Sequence, residues 1–137
     1  MTADRLLERY FGLFRARDAA GIAALFAPRG LYEFPFLRPR LVGAAEIRAG
    51  HAQAFEVAEP RAVELRAVRA AAAVAIAEGR LRARVERDGC DIDLPFAAVA
   101  EAENADSGDG LLARLSIYCD AHPYRLWCDG PVMAFGA

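Results

Sequence analysis

Residues 74–103, VAIAEGRLRARVERDGCDIDLPFAAVAEAE, alternate apolar and charged side chains on either side of an Asp88-Gly89 pair. A period of two sends neighbouring side chains to opposite faces of a strand, and Asp-Gly between two such runs signals a hairpin. With a two-residue turn, Arg87 faces Cys90, Val85 faces Ile92, Arg84 faces Asp93 and Ala83 faces Leu94. One face then carries Leu81, Ala83, Val85, Ile92, Leu94, Phe96 and Ala98. The other carries Arg80, Arg82, Arg84, Asp91 and Asp93. An Arg84–Asp93 pair across the strands would contribute about 0.2–1 kcal/mol. A sheet with one apolar face needs a cover on that side alone.

The N-terminal third supplies the cover. Residues 4–17 (DRLLERYFGLFRAR) set Leu6, Leu7, Tyr10, Phe11, Leu13 and Phe14 on a broad stripe at helical spacing. Asp18 can cap a shorter helix with the stripe Ile22, Leu25 and Phe26, ended by Pro28 and Gly30. The stretch LYEFPFLRP (31–39) reads as a strand with Tyr32, Phe34 and Phe36 on one face and Glu33 on the other. Residues 37–43 read as a loop. Residues 44–56 form a third helix, with Ile47, His51 and Phe55 four apart. AVELRAVRA (62–70) is a further strand, NADSGDG (104–110) a solvated loop, and LLARLSIYCDAH (111–122) the last strand, where Leu115, Ile117 and Cys119 take the inner face. Helices first, then a long curled antiparallel sheet, make an α+β chain of one domain spanning 1–137, with the helices on the concave side.

Composition removes several functional classes. The 137 residues can bury a real core. No segment holds the roughly 18 apolar residues of a membrane span, and MTADRLLERYF is charged rather than a signal peptide's apolar run. A cytoplasmic protein without membrane contact is expected. Cys90, Cys119 and Cys128 are too few and too oddly spaced for a disulfide framework and read as reduced thiols. All basic residues are arginine, so lysine Schiff-base and P-loop chemistry are absent. No cofactor or metal is expected, because there is no glycine-rich phosphate loop and His51, His122 and the cysteines lack zinc spacing. The net charge of −2 gives nucleic acid no basic footprint.

The order of LLERYFGLFRARDAAGIAALFAP, EFPF, VGAAEIRAG and a final strand ending IYCD resembles the ketosteroid isomerase-like, SnoaL-like branch of the nuclear transport factor 2 superfamily, over residues 4–122. The resemblance implies a cone-shaped sheet with a pocket between sheet and helices, and a homodimer paired through the outer sheet surface, where Arg80, Arg82 and Arg84 lie. It also implies a small apolar ligand. Members include isomerases, polyketide cyclases, dehydratases, epoxide hydrolases and non-enzymatic binding proteins, so fold alone does not give function. Set beside the isomerases, the oxyanion-hole tyrosine falls on Tyr10 and two supporting tyrosines fall on Phe26 and His51. The catalytic aspartate falls on Phe34 and the neutral acid on Ala98. A phenyl ring cannot take a proton, so isomerisation by that route is not expected.

Tyr10 and His51 are the leading candidates for chemistry. Both should project from helices into the pocket within bonding distance, where a phenol and an imidazole could polarise a carbonyl or hydroxyl. A buried pair satisfied for stability is the competing reading. Asp120, at the end of the last strand, is the third catalytic candidate if it turns inward. Glu33 should face away unless a bulge reverses it. The expected pocket wall is Tyr10, Phe14, Phe26, Tyr32, Phe34, Phe36, His51, Phe55, Leu81, Phe96, Ala98 and Cys119. A core filled by the same aromatics is the alternative. The apolar tail 123–137, with Tyr124, Trp127, Met133 and Phe135, is expected over the cone mouth or against a second subunit.

Overall fold

The structure, a computed structural model, describes residues 1–36, 40–87, 89–104 and 110–120. These form helices α1 (Ala3–Arg15), α2 (Ala19–Ala23) and α3 (Ala44–Val57). The strands are β1 (Phe26–Glu33), β2 (Arg40–Val42), β3 (Ala58–Ala71), β4 (Val74–Val85), β5 (Asp91–Glu103) and β6 (Leu111–Cys119). The strands make one curved, unclosed sheet in the order β2-β1-β6-β5-β4-β3. Strand β1 runs parallel to β6, and all other neighbours are antiparallel. The α+β class expected from the change of period is the class observed. Among the described residues, no helix is long and apolar enough to cross a membrane.

The apolar stripe of α1 explains its seat. Leu6, Leu7, Tyr10 and Phe11 are buried, and the helix packs on β3, β4, β5 and β6. Facing it are the inner residues of the sheet, among them Leu81, Leu94, Phe96, Leu115 and Ile117. Asp18 caps α2 as expected, its carboxylate accepting from the Gly21 N–H at 2.8 Å. Helix α3 packs on α2 and on β1, β2 and β3.

Four boundaries differ from the sequence reading. Strand β1 starts at Phe26 instead of after Gly30, so Phe26 is a strand residue and not part of a helical stripe. Pro28 and Gly30 fall in a bulge between Phe26 and Leu31, where a missing N–H costs no ladder bond. A side chain at position 30 would meet the Leu112 carbonyl oxygen at 2.9 Å. Within the expected loop 37–43, Arg40–Val42 forms the edge strand β2, paired to Leu31, Tyr32 and Glu33. Strand β3 begins at Ala58, directly after α3, and carries Pro60 at a bulge on the outermost strand. The last strand stops at Cys119. The tail lies outside the described residues, as do loop residues 105–109.

The β4–β5 register is shifted by two residues from the expected one. Leu81 faces Leu94, Ala83 faces Ile92 and Arg84 faces Asp91. The Val85 N–H donates to the Cys90 carbonyl at 2.8 Å, so the connection is longer than a two-residue turn, and Gly89 ends it at φ 69°. The fit of Phe96 to Gly79 accounts for the shift. They are register partners, and a Cβ on Gly79 would lie 2.6 Å from the Phe96 ring. A slip of two preserves the faces, so the predicted apolar face is buried throughout. In place of Arg84–Asp93, the charged face forms Arg84–Asp91 directly across the strands at 3.3 Å and two diagonal ion pairs, Arg80–Asp93 at 3.0 Å and Arg82–Glu64 at 3.1 Å.

Candidate functional site

Tyr10 lies on the buried stripe of α1 and is 1% exposed, while His51 lies on the buried stripe of α3 with Ile47 and Phe55. The two helices are tied at their ends. Arg17, in the left-handed region at φ 58°, turns the chain out of α1 and donates from its guanidinium to the Phe55 carbonyl at 2.7 Å.

This arrangement brings Tyr10 Oη within 3.0 Å of His51 Nε2 and 3.1 Å of Tyr32 Oη. His51 Nδ1 lies 2.7 Å from the Ile47 carbonyl oxygen. A carbonyl only accepts, so Nδ1 carries a proton. Burial disfavours the charged ring and pulls its pKa from 6.5 down to about 4, a shift that the bond to Ile47 partly opposes. His51 is thus neutral at pH 7, and Nε2 is an acceptor. The Tyr10 hydroxyl has one proton, and Nε2 receives it. The bond between the phenols is then made by the Tyr32 proton, donated to the Tyr10 oxygen. Burial also raises the Tyr10 pKa above its ordinary value, so the phenol stays protonated. The relay runs Tyr32 to Tyr10 to His51 to Ile47, with each proton pointing toward α3.

Next to the phenols is a small hollow of about 20 Å³, lined by Tyr10, Phe11, Phe14, Tyr32, Phe34, Val63, Leu81, Leu94, Phe96 and Ile117. A volume near one probe sphere holds about one water, whereas a benzene occupies a cavity of about 150 Å³. Phe14 and Val63 are only half-buried and form its rim. Tyr10, Phe14, Tyr32, Phe34, Leu81 and Phe96 are therefore where the sequence reading put them. Phe11, Val63, Leu94 and Ile117 were missed as lining. Three of these sit on apolar faces that the sequence displays, and Val63 lies in the alanine- and arginine-rich β3, where alternation is weak.

Other expected wall residues lie elsewhere. Phe36 is 62% exposed, because β1 ends at Glu33 and the chain turns before the third aromatic; its ring sits 5.7 Å from that of Tyr118. His51 stands behind the phenols instead of in the lining, with Phe55 beyond it at a ring separation of 6.2 Å. Phe26 packs edge-on to Tyr32 at 6.4 Å. Ala98 and Cys119 are buried on the inner sheet face outside the hollow, and burial, with the Asp120 charge adding to it, pushes the Cys119 thiol up to about 12. Asp120 itself is exposed, one residue beyond β6, and does not turn into the hollow. Glu33 faces outward, as alternation required. There its carboxylate accepts from the fully buried Ser116 hydroxyl at 2.8 Å and pairs with Arg114 at 3.4 Å. Arg114 also pairs with Glu101 at 3.0 Å, which lowers the Glu101 pKa.

The family model for the SnoaL-like domain matches residues 7–114. The chain belongs to the SnoaL-like family. Solved structures of this fold include a ketosteroid isomerase-like protein from Erwinia carotovora atroseptica, at TM-score 0.70 and 18% identity, covering 86% of this chain and 93% of that one. A hypothetical protein with a ketosteroid isomerase-like fold from Catenulispora acidiphila, in complex with trimethylamine, matches at TM-score 0.74 and 13% identity over 86% of both chains. A LEH-like epoxide hydrolase from M. tuberculosis matches at TM-score 0.73 and 14% identity over 91% of this chain and 87% of that one. No curated protein matches the sequence significantly. At these identities the likeness shows the fold, and the residues of this SnoaL-like domain must speak for its chemistry.

Proposed function

We propose that this SnoaL-like domain binds a small, largely apolar molecule in the hollow of its sheet, with the Tyr10 and Tyr32 phenols as the polar contact, and that it binds without turning the molecule over. The observation that carries this reading is the hydrogen-bonded Tyr32–Tyr10–His51 relay set beside an otherwise hydrocarbon and aromatic lining. Ligand sites are mostly apolar with a few placed polar groups, and this lining has that make-up. Cofactor-independent isomerases, cyclases and hydrolases need a group that takes a proton from the substrate. Among the described residues the lining offers no carboxylate, and His51 is occupied by Tyr10 and Ile47.

The hollow of about 20 Å³ favours a second reading, a structural cone filled by its own side chains. The two are separated by the rim. A ligand larger than water must displace Phe14, and removing that ring opens the site. Thermal unfolding of the wild type and of Phe14→Ala in the presence of toluene tests this. Expected is a rise in Tm with toluene concentration, larger in Phe14→Ala, as binding to the folded state requires. No rise in either protein would establish the filled cone instead.

A further inference from the structure

Building on that binding reading, we infer from the direction of the proton relay that the hollow selects a molecule that donates a hydrogen bond, such as an alcohol, and discriminates against a ketone. The Ile47 carbonyl fixes the proton of His51 on Nδ1 at 2.7 Å. Nε2 then takes the Tyr10 proton at 3.0 Å, and Tyr10 takes the Tyr32 proton at 3.1 Å. Both phenolic protons are committed within the relay. A hydroxyl oxygen has two acceptor positions, and the Tyr10 oxygen fills one of them with the Tyr32 proton. The second is open to a donor. This is the reverse polarity of an oxyanion hole, which aims protons at a carbonyl oxygen. Here a ligand carbonyl would face oxygen lone pairs, or would have to break the Tyr32–Tyr10 bond to gain a proton.

The position of the proton, and not the mere presence of tyrosine, sets this preference. A buried site rejects an analogue that leaves its polar groups unpaired. Cyclohexanol and cyclohexanone have the same number of heavy atoms and nearly the same shape, and only the alcohol has a proton to give. The difference of one buried hydrogen bond corresponds to about tenfold in Kd.

The experiment is a titration of the full chain with each compound, followed through the methyl resonances of Val63, Leu81, Leu94 and Ile117, which line the hollow. Expected are shifts at these methyls with cyclohexanol binding about tenfold more tightly than cyclohexanone. His51→Leu releases the Tyr10 proton from Nε2, so in that variant the preference should shrink or invert toward the ketone. Tighter or equal binding of cyclohexanone by the wild type, or a preference unchanged in His51→Leu, would overturn the inference while leaving ligand binding intact. Absence of methyl shifts with both compounds overturns it too. Toluene then shows whether the binding reading falls with it.

Discussion

His51 sends its ring proton to the carbonyl of its own helix, and this local choice orients two tyrosines. It also ties stability to pH. The pKa of His51 is 6.5 in the unfolded chain and about 4 in the folded one. Between those values the unfolded state holds a proton that the native state lacks, so the native state loses stability as pH falls. Above 6.5 both states are neutral at this residue, and below about 4 both are charged. A shift of this size corresponds to a loss of about 2–3 kcal/mol between pH 7.5 and pH 4. Urea unfolding of the wild type and His51→Gln across this range isolates the contribution from that of the carboxylates. The wild type should show the steeper fall toward acid. Parallel curves for the two proteins would mean that His51 is not held neutral by burial.

At the scale of elements, the small residue opposite a large one decides how β4 lies on β5. Phe96 rests over Gly79, and its ring meets Phe11 of α1 at 5.0 Å, which makes one wall of the hollow. Replacing glycine with alanine within a strand ordinarily gains about 0.5–1 kcal/mol. At Gly79 the new methyl would meet the Glu64 carbonyl oxygen and the Phe96 ring, both at 2.6 Å. Gly79→Ala should therefore destabilise by about 1–3 kcal/mol, as overpacking does, with an unchanged m-value in urea. A gain in stability would show that the Phe96–Gly79 fit does not set the register. This fit also shows where the sequence is hard to read. The alternation around Asp88-Gly89 revealed both faces of the hairpin correctly, because a face depends only on parity. Register depends on volumes across the strands, and the Asp-Gly pair drew attention to a tighter turn than the one formed. In the same way, period two identified Tyr32 and Phe34 as inward but could not show that β1 ends before Phe36, since Pro35 turns the chain through local geometry.

For the whole molecule, the decisive event is closure of α1 and α3 over the curved sheet. The apolar stripes of Leu6, Leu7, Tyr10 and Phe11 and of Ile47, His51 and Phe55 were legible because helical spacing displays them without tertiary knowledge. Their meeting was legible through the family likeness and the order of elements. The third member, Tyr32, was legible only as wall, because nothing in its neighbourhood signals a partner two helices away. The placement of Asp120 follows from parity, since Cys119 ends β6 on the inner face and the carboxylate after it stays exposed. The outward cluster of Glu33, Ser116, Arg114 and Glu101 escaped attention because its members come from three strands whose parallel and antiparallel pairing no local pattern encodes.

Closure leaves a direct signature on one ring. Long-range ¹H–¹⁵N NMR correlations of His51 at pH 7 report which nitrogen bears the proton. Expected is a neutral ring protonated at Nδ1, with Nε2 bare beside Tyr10, and a titration midpoint near 4. A ring protonated at Nε2, or one that titrates near 6.5, would contradict the ordered relay and the closed hollow together.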